Sequence, residues 1–199
     1  MRDALILYAV IRDIEPAISR RVVVPASITL PQVHIVLQIL FGWEDCHLWQ
    51  FEFGKVDYAC TDVDDDFGSP GRECRSARAV SLADALGAKR KFSYWYDFGD
   101  DWFVDIKFER RIASDQVVVP VCTEGARAGP PDDCGGVPGC FRLLEVLAGP
   151  ADEEREHFVE WLGGEFDPEA FDLVGTSARL KRAFTPRKSR AKPTTLKSG

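Results

Sequence analysis

The stretch Phe92 to Phe108, reading FSYWYDFGDDWFVDIKF, constrains this chain more than any other. Phe92, Tyr94, Tyr96 and Phe98 fall on one face of an extended strand, because strand side chains alternate with a period of two. Trp102, Val104, Ile106 and Phe108 do the same in the following run, and Gly99, Asp100 and Asp101 supply turn chemistry between them. The spacing therefore predicts a β-hairpin. A two-residue turn at Gly99-Asp100 would set Tyr96 beside Phe103 and Tyr94 beside Asp105, mixing apolar with charged positions. An odd-length connection, or a bulge, aligns the two apolar sets and leaves Asp97, Asp105, Lys107 and Glu109 opposite. We expect the odd connection. Tyr94, Tyr96, Phe98, Trp102 and Ile106 are then core, and Asp97, Asp100 and Asp101 form a rim.

Around this hairpin the chain mixes strands and helices without regular alternation, which predicts an α+β fold: a mostly antiparallel sheet packed by helices. Ala4 to Ile11 reads as a strand, and Val22 to Pro25 continues extended after a turn near Glu15-Pro16. Pro31 opens a helix in which Val33, Val36, Leu37, Leu40 and Phe41 recur at helical spacing, and Gly42 stops it. His34 and Gln38 form its narrow polar face. Leu48 to Phe53 is a strand, with Lys55 to Tyr58 pairing back across Gly54. Thr61 to Arg78 reads as a polar loop, Leu82 to Leu86 as a short helix and Val117 to Cys122 as another strand. The Gly- and Pro-dense segment Arg127 to Pro138 must be a structured loop. Helices follow around Phe141 to Ala148, from Asp152 to Leu162, and beyond Asp167-Pro168.

Charge separates body from tail. Of 25 basic and 32 acidic residues, eight basic and no acidic ones fall in 176–199, so residues 1–175 carry about −15 against a tail of +8. Such a body is a poor partner for phosphate backbones, which require clustered Lys and Arg. After Thr185 nothing is apolar enough to hold the chain. Residues 1–184 are thus the expected domain, and 185–199 a disordered basic tail. That tail (Arg187, Lys188, Arg190, Lys192) offers weak, non-specific nucleic-acid contact at most. No segment has the apolar length of a membrane span, and Ala4 to Ile11 is flanked by Asp3 and Asp13 rather than a basic leader, so the expected location is the cytoplasm. The six cysteines lack a C-x-x-C pair and read as free, mostly buried thiols.

Candidate chemistry concentrates in acids. Asp97, Asp100, Asp101, Asp132 and Asp133 can converge if the two Gly-rich loops meet, with His47 and Trp102 nearby; clustered carboxylates bind hard cations. The plainer alternative is that each Asp caps turn amides, and Arg20-Arg21 can answer some of them as ion pairs. Asp62, Asp64, Asp66 and Glu73 match four positions of a calcium loop, but Phe67 stands where the sharp turn needs Gly. No nucleophile elbow, P-loop, dinucleotide fingerprint or H-E-x-x-H occurs. Neither a cofactor nor a metal is expected.

RDIEPAISRRVVVPASITLPQVH, FGWEDCHLWQFEF, FSYWYDFGDDW, GARAGPPDDCGG and FDPEAFDL, in this order, resemble the plasmid ORF-three-like family first named from a root-inducing plasmid, also called insertion-sequence passenger proteins of TnpR type. The resemblance spans roughly residues 4–184. It implies a single α+β domain carried by plasmids, mobile elements and bacterial chromosomes, and no particular activity. A serine resolvase would show a Tyr-x-Arg-Val-Ser-Thr stretch near its start, and none is present. The family commonly has His where this chain has Trp49 and Val104. Neither side chain can ligate a metal, so the resemblance leaves only the carboxylates as candidate ligands.

The reading is a mobile-element-associated, non-enzymatic binding or accessory module. It would act on an unidentified protein or small ligand through a rim of His47, Asp97, Asp100, Asp101, Trp102, Asp132 and Asp133. The rival is a carboxylate-dependent, metal-assisted hydrolase of nucleic acid or nucleotides.

Overall fold

The computed structural model describes residues 3–60 and 71–186. In chain order they form β1 (Asp3–Ile11), β2 (Ser19–Pro25), α1 (Leu30–Phe41), β3 (Trp49–Phe53), β4 (Val56–Ala59), β5 (Glu73–Ser76), α2 (Leu82–Leu86), β6 (Lys91–Tyr96), β7 (Trp102–Ala113), β8 (Val121–Ala126), α3 (Gly136–Ala148), α4 (Glu153–Trp161) and α5 (Leu173–Phe184). The strands make one sheet in the order β5-β4-β3-β6-β7-β1-β2-β8. Every neighbouring pair is antiparallel except β4 with β5. The chain is α+β.

The aromatic hairpin is β6–β7, near the middle of the sheet. Its pairs are Phe92–Ile106, Tyr94–Val104 and Tyr96–Trp102, so the connection is the odd one, residues 97–101. One sheet face is the core face. Leu5, Leu7 and Ile11 of β1, Val22 and Val24 of β2, Phe51 and Phe53 of β3 and the hairpin's alternate residues pack there against Val33, Val36, Leu37 and Leu40 of α1, Leu82 of α2 and Leu180 of α5. Helix α1 begins where the Gln32 side chain accepts the Thr29 N–H, and it ends at Gly42, whose left-handed φ of 84° lets its N–H reach back to Gln38 O.

Several expectations need correction. Phe98 is not on the core face: in a five-residue connection it leaves the strand alternation and packs at a tilt against Trp95 of the outer face, 4.3 Å between ring centres. His34 and Gln38, the narrow polar face of α1, are both buried under the sheet. The polar segment before Arg78 contains a strand, β5, which pairs in parallel with β4 at the sheet edge. The last strand runs from Val121, not Val117, because Val22 and Val23 of β2 pair with Cys122 and Val121. Residues 61–70 and 187–199 lie outside the described residues. With them go the first three positions of the calcium-like pattern, whose last member, Glu73, pairs with Arg75 at 2.8 Å, and all but two residues of the expected tail.

Arg20 also departs from expectation. It answers no acid. Its guanidinium is buried and donates to Leu40 O, Ser19 O and Ala126 O at 2.7 Å and to Arg127 O at 2.8 Å, with Phe171 stacked 3.9 Å away. Burial lowers its pKa to about 10, leaving it cationic at neutral pH. One side chain thus ties β2, the end of α1 and the end of β8 together. Arg21, on the outer face, pairs with Glu109 and Glu124 rather than with any of the rim aspartates.

Candidate functional site

Strands β3, β6 and β7 are adjacent and end at the same edge of the core, so residues 42–48, 97–101 and 127–135 meet there. These three connections hold one another. The Trp43 indole donates to Pro130 O (3.1 Å), the Glu44 N–H donates to Asp132 Oδ2 (2.7 Å), and the Gly135 N–H donates to Asp100 Oδ2 (3.0 Å). Two glycines allow backbone contact that no side chain would permit. A Cβ on Gly129 would stand 1.8 Å from Phe41 O, and one on Gly136 would stand 2.3 Å from Asp100 O.

The seam brings together His47, Asp97 and Asp133. His47 Nε2 lies 3.2 Å from Asp133 Oδ1 and 3.6 Å from Asp97 Oδ2, and one donor atom from each residue falls within 4.8 Å of the others. The imidazole is held edge-on against Tyr96, 5.6 Å between ring centres. Its Nε2 is closed to solvent yet makes no hydrogen bond of acceptable geometry, so the nitrogen is aimed along neither nearby carboxylate. Asp97 is buried; its Oδ1 accepts the Gly99 N–H at 3.0 Å, which leaves Oδ2 turned toward His47. Asp97 and Asp133 both hold left-handed backbone, φ 54° and 58°, a conformation Asp tolerates and that recurs at ligand sites.

Asp132 sits at the margin of this set. Its Oδ1 is buried without a partner, and burial raises its carboxyl pKa, with the charge of Asp133 adding to the effect. The Cys46 thiol, 3.9 Å from the Tyr96 hydroxyl, is also pushed up, mainly by desolvation and further by Asp132 and Asp133. A thiol whose pKa is raised is a poor nucleophile, so Cys46 does not resemble an activated cysteine. On its far side Asp133 opens on a cavity of about 220 Å³ walled by Cys134, His157, Phe158 and Trp161. A larger groove of about 480 Å³ lies on the outer face between Tyr8, Glu52, Lys91 and Asp105. Asp105 there is already paired with Arg12 at 2.6 Å, and none of the seam donors reaches it.

Of the residues expected at the rim, His47, Asp97, Asp100, Asp132 and Asp133 come together. Two do not. The Asp101 carboxylate turns to the outer face and accepts the Trp95 indole N–H at 2.9 Å. Trp102 is wholly buried beneath the rim, 6.2 Å from Trp43 between ring centres. Arg187, Lys188, Arg190 and Lys192 lie outside the described residues. Trp49 and Val104 are both core residues. The seam nevertheless keeps one imidazole, His47, so the candidate ligands are not carboxylates alone.

A second polar group, unforeseen in the sequence, lies behind the first. His34 Nδ1 is 2.6 Å from the Tyr94 hydroxyl and Nε2 is 2.6 Å from Asp45 Oδ1, while Gln38 Nε2 donates to the same hydroxyl at 3.0 Å. The Gln38 carbonyl accepts the Asp45 N–H at 2.8 Å. Desolvation lowers the His34 pKa despite Asp45, and the ring stacks on Trp49 at 4.4 Å. The available signal was a His and a Gln four residues apart on an otherwise apolar helix, facing a strand with a tyrosine.

The model of the plasmid pRiA4b ORF-3-like protein family matches residues 3–174. The chain belongs to that family. It is 36% identical over 157 residues to the uncharacterized protein y4hQ of Sinorhizobium fredii (strain NBRC 101917 / NGR234), covering 79% of each chain. A crystal structure of a protein of unknown function from Methanosarcina mazei Go1 is similar at 36% identity and a TM-score of 0.76, with 86% of this chain and 95% of that one covered. No helix among the described residues is long and apolar enough to cross a membrane, and all six cysteines are free thiols.

Proposed function

We propose that the protein is a binding module whose ligand site is the seam formed by His47, Asp97 and Asp133, acting as an accessory protein in a plasmid or mobile-element setting. One observation carries this reading. Three polar side chains from segments about 35–50 residues apart are held with donor atoms within 4.8 Å, although none of the three is needed to complete a strand or a helix. Two of them are anionic, which favours a cationic group or ion as ligand. The free thiols fit a reducing compartment, so the cytoplasm is the proposed location. The test is chemical-shift mapping of the full chain against alkylammonium and guanidinium compounds and divalent cations. We expect shifts confined to residues 44–48, 97–101 and 130–136, abolished in Asp133→Asn. Shifts elsewhere, or none with any probe, would refute a ligand site here.

The cavity beside Asp133 favours a second reading, a carboxylate-dependent hydrolase of nucleotides or nucleic acid, since a substrate group can lie there against the Asp133 carboxylate. Product formation from nucleoside triphosphates or single-stranded nucleic acid, lost in Asp97→Asn and Asp133→Asn, would put that reading first.

A further inference from the structure

We infer that the His47–Asp97–Asp133 seam is a binding site for a divalent transition-metal ion of borderline softness, zinc being the representative, with His47 Nε2, Asp97 Oδ2 and Asp133 Oδ1 as its protein ligands. The inference rests on the reading of the seam as a ligand site and names its ligand. Three observations converge. First, ligands at about 2.0–2.2 Å from a common ion stand about 3–3.5 Å apart. The nitrogen-to-oxygen separations of 3.2 and 3.6 Å already match that spacing. The donor atoms of Asp97 and Asp133 lie within 4.8 Å of each other, and Asp133, whose side chain is 68% exposed, has room to turn toward a shared ion.

Second, the arrangement is a poor ion pair. An imidazolium between two carboxylates would turn an N–H onto one of them, because a charge-assisted hydrogen bond is strong and directional. Here Nε2 is shut off from water and bonds to neither oxygen. A buried nitrogen with two carboxylate oxygens at 3.2 and 3.6 Å and no hydrogen bond to either is left available to a cation that all three could share. Third, the donor set discriminates among ions. Calcium takes six to eight oxygens and magnesium favours oxygen and retained water, whereas imidazole with carboxylates suits zinc and its first-row neighbours. Three protein ligands leave the remaining coordination to water or to a ligand group, and the cavity bounded by Asp133 is where such a group would enter.

The experiment uses full-length protein stripped with chelator, then titrated with Zn²⁺ by calorimetry and with Co²⁺ by absorption spectroscopy. We expect one ion per chain and a cobalt spectrum of nitrogen and oxygen ligation. His47→Gln and Asp133→Asn should each weaken zinc binding by about a hundredfold or more, because removing a direct ligand costs more than the 10–100-fold typical of outer-shell changes. Their circular dichroism should be unchanged, and Glu52→Gln on the outer face should bind as the parent does. Asp97→Asn is read by the cobalt spectrum as well as by affinity, since Asp97 also anchors the turn. A thiolate-to-cobalt charge-transfer band, or zinc affinity unaffected by His47→Gln, would place the ion on cysteines and overturn the inference. So would binding of Mg²⁺ or Ca²⁺ as tight as that of Zn²⁺, or uptake of no metal. If the protein takes up no metal but still binds an organic cation in a manner lost in Asp133→Asn, the ion assignment falls and the ligand site stands. If no probe responds to any seam variant, both fall.

Discussion

His34 and His47 lie in the same region, each beside an aspartate, and they differ in one respect that matters. Both ring nitrogens of His34 have a partner at 2.6 Å, the ring is stacked, and the residue is almost wholly buried. His47 has carboxylate oxygens farther off, at 3.2 and 3.6 Å, and bonds to neither through Nε2. A satisfied buried polar group contributes to a unique packing arrangement, whereas an unsatisfied one costs free energy that selection tolerates when it does something else. Residue type alone does not distinguish the two histidines; hydrogen-bond completeness does, and it is the reason the proposed site is placed at His47.

The comparison can be broken most directly by removing each ring. His34→Ala leaves a cavity beside Trp49 and strips partners from Tyr94 and Asp45, and should lower stability by about 3 kcal/mol. His47→Ala should cost about 1 kcal/mol or less, because no hydrogen bond through Nε2 is lost. Urea denaturation of the two variants decides the matter, and similar losses would erase the distinction.

Acid sharpens the same contrast. The folded pKa of His34 lies below its unfolded value of about 6.5, so the unfolded chain takes the proton first. The contribution of the neutral ring is therefore complete above about pH 6.5 and diminishes as pH falls from there toward the lower folded pKa. Denaturation midpoints at about pH 7.5 and about pH 5.5 should show a loss that is smaller in His34→Leu than in the parent. An equal loss in both would mean that other groups carry the acid sensitivity.

The smallest effect is expected far from either histidine. Deleting residues 185–199 should leave the fold unchanged and abolish any binding to duplex DNA, which in the full chain should be weak and sequence-independent. Five phosphate contacts would give a log–log salt slope of about −4 to −5. Tight binding that survives the deletion would locate a nucleic-acid site in the acidic body and favour the hydrolase reading.

The hairpin was legible because its two apolar sets had to share a face, and only an odd connection achieves that. Helix α1 announced itself through Pro31, its spacing and Gly42. Strand β5 was invisible: at the sheet edge half its residues face solvent, so ECRS carries no apolar alternation. Val117 to Val119 misled in the opposite sense, looking like a strand without being paired as one. At the rim, the residue types were readable and their convergence was not, since positions 47, 97 and 133 meet only through loop-to-loop contacts. Asp101 and Trp102 left the rim for the reason Phe98 left the core. A five-residue turn re-aims every side chain within it, and the strand that follows puts Trp102 inward.

The anchoring of the loop between Gly129 and Gly136 has an evolutionary consequence. Both ends are fixed by main-chain contacts too close for any other residue, and Asp133, between them, projects largely into solvent. Replacing the residue at 133 changes what is presented to His47 and Asp97 without changing where it is presented. Adding or removing one residue between the two glycines would misplace both anchors at once. With the seam as the proposed ligand site, ligand preference in this lineage should diversify by substitution at a constant loop length, and position 133 is the natural place to reprogram it.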